Sequence, residues 1–224
     1  MNSLFELTDQ QKNIWNSEVF YSGTNINNIG GYLLLNEKVN IPLLQKASNL
    51  YVQTTEISCM HFDIKDAKPV QFLTEYKPFT LDVVSLNNID DLKALTTRLI
   101  SEPFETIDKD LYKFKLFTLS DGRGGIIPIF HHLITDAWSM SLFISTFIDI
   151  YTKLLHNDTN FEKKPLYTNY IASCNEYKKS NRFIKDKEFW ESNFENLPEL
   201  TYISKNKNNS NSASKRKICF FEAS

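Results

Sequence analysis

The chain has 224 residues, a formal net charge of −2 and 42% hydrophobic residues, including 17 Phe and 10 Tyr. By size scaling about 70% of its unfolded surface is buried on folding, and that composition excludes a disordered chain. The near-neutral charge leaves no basic field for nucleic acid, and no apolar run nears the roughly 20 residues that span a bilayer.

None of the six glycines falls in GxxxxGK[ST] or in a helix-opening GxGxxG, which argues against phosphate-cradling nucleotide folds. Cys59, Cys174 and Cys219 form no CxxC pair. That argues against a zinc ribbon, thioredoxin chemistry and a disulfide framework, and fits a reducing cytoplasm. Met1 leads into polar Asn2-Ser3 and the first basic residue is Lys12, so no signal peptide is visible. The expectation is a soluble cytoplasmic protein with no membrane or nucleic-acid partner.

Thr8 or Asp9 caps a predicted helix to about Phe20, with Ile14, Trp15, Val19 and Phe20 on its inner face. Gly30–Leu35 reads as one buried strand, and Pro42 sits at the start of a helix through about Val52. Ile57–Ile64, Val70–Tyr76 and Thr80–Val84 are short strand candidates. Asn88 or Asp90 caps a helix ending near Glu102, where Pro103 forbids simple continuation. Leu111–Leu119, a Gly-rich turn and the apolar run from Ile126 to Phe130 form the clearest hairpin. Its second strand is apolar throughout, so both faces should be covered, and Pro128 requires a break in the hydrogen-bond ladder.

Ala137–Leu155 reads as a buried helix with Trp138, Leu142, Phe143, Phe147, Ile150, Tyr151 and Leu154 recurring at three and four. Two further helices are predicted over about 167–178 and 182–196. Residues 204–217 contain one apolar residue and five cations with no acids, the composition of a flexible linker. Ile218-Cys219-Phe220-Phe221 turns apolar and stops three residues later, the pattern of a strand whose continuation is missing.

The informative segment is Phe130-His131-His132-Leu133-Ile134-Thr135-Asp136-Ala137-Trp138-Ser139. Adjacent strand side chains point to opposite faces, so only one of the two histidines can face a given site. A histidine titrates near neutrality and can take a proton from an attacking amine, hydroxyl or thiol. Asp136 is placed to cap the next helix or to make an ion pair. The pattern alone also fits two buried, backbone-satisfied histidines. A metal site is a weaker reading, since adjacent residues chelate one ion poorly, although Glu102, Glu105 and His156 stay open as further ligands.

The segment resembles the HHxxxDG motif of the condensation domains of nonribosomal peptide synthetases, within the chloramphenicol acetyltransferase-like superfamily. Other stretches resemble the family in the same order: Leu7-Thr8-Asp9-Gln10-Gln11 with Trp15, Pro69-Val70-Gln71-Phe72, Tyr167–Ala172, and Phe189-Trp190 followed by Leu197-Pro198. The resemblance implies an α/β lobe of that type, a mixed β-sheet flanked by helices. It covers residues 1–203 as the N-terminal lobe, 204–217 as a linker and 218–224 as the start of a strand toward an absent second lobe. It implies amide formation in the whole enzyme, between acyl or peptidyl and aminoacyl thioesters on phosphopantetheine arms, with no cofactor or metal bound directly. The implied partners are carrier proteins, an adenylation domain and the second lobe.

By the same resemblance His132 is catalytic, His131 supporting and Asp136 structural. Ser139 is a candidate polar lining of the substrate site, and Trp138 is read as core with substrate contact as its alternative. Two departures matter. Ala137 replaces the motif glycine, and Thr54–Phe62 lacks both arginines and the histidine of the family's RHExLRTxF element. An arginine pairs with the motif aspartate in the family, so Arg98 and Arg123 are the upstream candidates here. The isolated half is expected to be inactive, and a chain opening directly in this domain is expected to begin its natural protein. A degenerate interaction domain, a coenzyme A-dependent acyltransferase and an epimerisation domain are the alternatives.

Overall fold

In the computed structural model, residues 3–161 and 164–196 are described. The linker and terminal strand expected at 204–224 lie outside them, as does Cys219. The chain divides into two compact units, Met1–Ala172 and Ser173–Ser224. Among the described residues no helix is long and apolar enough to cross a membrane.

The first unit holds two sheets. β1 (Leu4–Glu6), β5 (Lys68–Leu73) and β4 (Met60–Lys65) form a small antiparallel sheet in the order β1-β5-β4. The larger sheet is mixed. β8 (Arg123–His131) lies between β7 (Tyr112–Leu119) and the edge formed by β2 (Asn28–Gly30) and β3 (Leu33–Lys38). β6 (Val83–Leu86) extends it, parallel to β7. The expected hairpin is β7–β8, with Tyr112 opposite Phe130.

The single strand expected at Gly30–Leu35 is two strands. They are interrupted at Gly31-Tyr32, opposite Ile127-Pro128. Gly31 N–H donates to Pro128 O at 3.2 Å. The carbonyl and the missing N–H of Pro128 face the same edge, so the break falls where the ladder lacks a donor. Gly124 and Gly125 serve the same sheet by close approach, because a Cβ there would run into Phe117 O and Leu33 O.

α1 (Asp9–Phe20) starts at Thr8 in a complete capping box with Gln11. Its buried face is Gln11, Trp15 and Glu18, whereas Val19 and Phe20, expected inside, are 64% and 80% exposed. α2 (Ile41–Thr54) is capped by Asn40, and a 3-10 turn at Glu56–Cys59 replaces the first residues of the strand expected from Ile57. α3 (Ile89–Ser101) begins at the Asn88 cap and α4 (Ala137–Leu155) at the Asp136 cap.

α4 buries one face, not its whole circumference. Phe143, Phe147, Ile150, Tyr151 and Leu154 enter the core, but Leu142 is 51% exposed and Trp138 is 73% exposed. The reading of Trp138 as core is therefore corrected. As the second residue of α4, it points away from the stripe that meets the sheet. That stripe stacks rings: Phe143 lies 4.8 Å from Tyr51, 5.3 Å from Phe130 and 5.5 Å from Phe147. Aromatic pairs of this kind add about 0.5–1.5 kcal/mol each beyond area burial.

α5 (Tyr167–Lys178) runs from the first unit into the second, which continues with α6 (Asn181–Asn193) from the Ser180 cap. α6 buries no residue; Trp190 meets Phe189 edge to face and stacks on Phe194 at the helix end, and all three stay half exposed or more.

Candidate active site

β8 ends at His131, and the chain turns through His132–Thr135 before Asp136 caps α4. Strand alternation sends Phe130 into the aromatic core and His131 to the opposite side, where it is 1% exposed against Phe104. The His131 ring is fully engaged. Its Nδ1 accepts the Leu133 amide at 3.1 Å and so carries no proton, while its Nε2–H donates to Glu18 Oε2 at 3.0 Å. Asn27 Nδ2 donates to the same carboxylate oxygen at 2.7 Å. Burial pushes the imidazole below its ordinary pKa, outweighing the opposite pull of Glu18. A neutral, enclosed ring with both nitrogens occupied has nothing to offer a substrate.

His132 is arranged differently. Its backbone N–H donates to Asn27 O at 2.8 Å, and its Nδ1 lies 2.9 Å from Thr135 O. A carbonyl only accepts, so Nδ1 carries a proton, and in the neutral ring the lone pair is on Nε2. His132 lines a cleft of about 390 Å³ that combines apolar Ile14, Ile57 and Ile134 with polar Gln11 and Ser139. Tyr167 and Tyr170 of α5 also line it, within the first unit. Trp138 is not among the lining residues, while Ser139 and Asp136 are.

Asp136 accepts Ser139 N–H and Oγ–H, both at 2.7 Å, and these bonds hold its carboxyl below the usual range. Arg123 is bonded to Asp121 at 2.7 Å and Arg98 lies in the last turn of α3. Among the described residues Asp136 has no arginine partner, so neither upstream candidate takes the place of the family's pairing. Asp136→Ala should lower unfolding free energy by about 1 kcal/mol in urea titrations near neutral pH, and Asp136→Asn by much less, as for a helix cap. A loss near 3 kcal/mol would instead reveal a buried ion pair. The cap is complete above the ordinary aspartate value of about 3.9 and fades as pH falls through the lower folded value.

The stretch that departs from RHExLRTxF is put to other uses. Glu56 accepts Thr168 N–H at 2.7 Å, Ile57 enters the cleft, and His61 lies between Asp108 and Asp110 at 2.9 and 3.0 Å. Glu102, Glu105 and His156 form no metal-holding group with other ligands among the described residues.

Several site residues escaped the sequence reading. Glu18 and Asn27 carry no motif, and Gln11, Gln71, Tyr167 and Tyr170 stand out only by resemblance. The available signal was polar residues at positions 11 and 18 flanking Trp15 on one face of α1, where a purely apolar stripe was expected.

The fold and the cleft thus define an α/β lobe carrying one available histidine at a strand-to-helix junction. The chain belongs to the condensation-domain family: the profile described as "Condensation domain" matches residues 1–221. It is 28% identical over 214 residues to surfactin synthase subunit 1 of Bacillus subtilis (strain 168), covering 91% of this chain and 6% of that protein. It is 25% identical over 173 residues to bacitracin synthase 1 of Bacillus licheniformis, covering 74% of this chain and 3% of that protein. Among solved structures, the starter condensation domain of rhizomide synthetase RzmA superposes with TM-score 0.81 at 16% identity, over 88% of this chain and 49% of that one. The first condensation domain of the CDA synthetase gives TM-score 0.77 at 21% identity, over 89% and 52%. The chain therefore spans about half of a solved condensation domain and under a tenth of either synthase.

Proposed function

We propose that this chain is the N-terminal, histidine-bearing lobe of a nonribosomal peptide synthetase condensation domain, whose whole form joins two carrier-bound substrates. The amine of an aminoacyl thioester attacks the carbonyl carbon of an acyl or peptidyl thioester. A C–N bond forms, the C–S bond breaks, and the amine proton passes by way of His132 Nε2 to the departing phosphopantetheine sulfur, which leaves as the thiol. The observation that carries the reading is the 2.9 Å approach of His132 Nδ1 to Thr135 O at the edge of the cleft, which favours the tautomer protonated on Nδ1 and leaves Nε2 as the acceptor. His131 and Asp136 support it, one by packing the turn and the other by capping α4. The cleft needs no bound cofactor for this step. Carrier proteins, an adenylation domain and the second lobe are the partners of this reading. The cytoplasm, where the reducing environment suits the free thiols of Cys59 and Cys174, is the compartment.

The absence of an arginine at Asp136 among the described residues favours a second reading, a catalytically degenerate interaction domain. Mixing the purified chain with a separately produced second lobe and loaded carrier proteins separates the two. Amide product from the mixture and none from the chain alone is the expected result. No product from the mixture, nor from a covalently joined whole domain, would favour the degenerate reading. Product from the chain alone would overturn the two-lobe reading.

A further inference from the structure

Gln71 lies on β5, is fully buried and does not line the cleft. Its side chain pairs with that of Gln11 in a closed ring of two amide bonds. Gln11 Nε2 donates to Gln71 Oε1 and Gln71 Nε2 to Gln11 Oε1, each at 2.9 Å. The second amide hydrogens go to backbone carbonyls, Gln71 to Glu6 O at 2.8 Å and Gln11 to Leu133 O at 3.1 Å. Gln11 Oε1 also accepts Thr8 N–H at 3.0 Å. Rotating one amide sets oxygen against oxygen and nitrogen against nitrogen, and rotating both turns each oxygen toward a backbone carbonyl, Glu6 O or Leu133 O, so the pair has a single orientation.

Its output is the carbonyl of Leu133, the residue after His132. The N–H of Leu133 is held independently by His131 Nδ1. The peptide units on both sides of His132 are thus fixed, one by Asn27 O and the other by His131 Nδ1, and the paired glutamines fix the next unit, Leu133–Ile134. We propose that Gln71 is a positioning residue for His132: by locking Gln11 onto the Leu133 carbonyl, it holds the turn in which His132 Nδ1–H meets Thr135 O. This rests on the reading of His132 as the proton acceptor.

The test is the tautomer of His132 in the 224-residue chain, read by long-range ¹⁵N–¹H correlation at about pH 8, where ordinary histidines are neutral. The native chain should show His132 with Nδ1 protonated and His131 with Nε2 protonated. Gln71→Met, of similar volume but without the amide, should move His132 toward the other tautomer or an average of the two, and leave His131 unchanged. A lowered melting temperature with an unchanged His132 signal would make Gln71 a purely structural residue and overturn the proposal. Should Gln71→Met fail to fold, Gln71→Asn, which keeps the amide but is one methylene short of Gln11, is read in the same way. The native chain is itself decisive if neither folds, since a native His132 protonated on Nε2 overturns the proposal. In a whole domain the same variant should lower kcat on the order of 10- to 100-fold at unchanged KM. A moved tautomer with no effect of His132→Ala on turnover would reject the proton-acceptor reading, whereas an unmoved tautomer with His132→Ala inactive would reject the role of Gln71 alone.

Discussion

In a whole condensation domain built on this lobe, His132→Ala should cut amide formation by about 10²-fold or more, the scale of removing a general base. Its melting temperature should barely change. The side chain is part-exposed at the cleft and its ring hydrogen bond to Thr135 O is worth about 1 kcal/mol. His131→Ala should do the reverse. It removes a ring that is 1% exposed and leaves the Leu133 amide and the Glu18 carboxylate without their partner, so the protein should unfold well before catalysis is lost for chemical reasons. Single-turnover rates with loaded carrier proteins, measured beside melting curves of both variants, decide the matter. Intact turnover in His132→Ala with loss in a stably folded His131→Ala would reverse the assignment.

Glu18→Ala should destabilise the protein by about 3 kcal/mol. It leaves His131 Nε2–H and Asn27 Nδ2 as buried donors without an acceptor, at roughly 1–3 kcal/mol each. Glu18→Gln keeps a carbonyl oxygen for both donors and should cost about 1 kcal/mol. Urea unfolding of the isolated chain gives both values, and equal losses for Ala and Gln would mean that the negative charge matters more than the hydrogen bonds. The pH dependence has a definite sign. The folded His131 pKa is depressed by burial, so its contribution is full above the unfolded value of about 6.5 and is lost as pH falls from there through the folded value.

The elements that carried a local signal were legible in order and nearly in register. Thr8, Asn88 and Asp136 cap helices in the structure because a side-chain oxygen next to orphan N–H groups works wherever the helix is placed. The β7–β8 hairpin was legible for the same reason, since its turn residues lie between its strands. The faces of α1 and α4 were not. Hydrophobicity alone put Val19, Phe20 and Trp138 inside, whereas the partner surfaces select Gln11 and Glu18 on α1 and the 143–147–150–154 stripe on α4.

What the sequence determined by itself was the strand-turn-helix unit that ends in His131-His132 and restarts at Asp136, together with the rule that adjacent strand residues face opposite ways. Which histidine is available was decided by the tertiary structure. Glu18, 113 positions away, occupies the His131 ring, and Gln71, paired with Gln11 across 60, holds the Leu133 carbonyl of the same turn, where a nitrogen of His132 stays open. No local pattern can encode that choice, because proton positions on an imidazole follow from the acceptors and donors that folding brings to it.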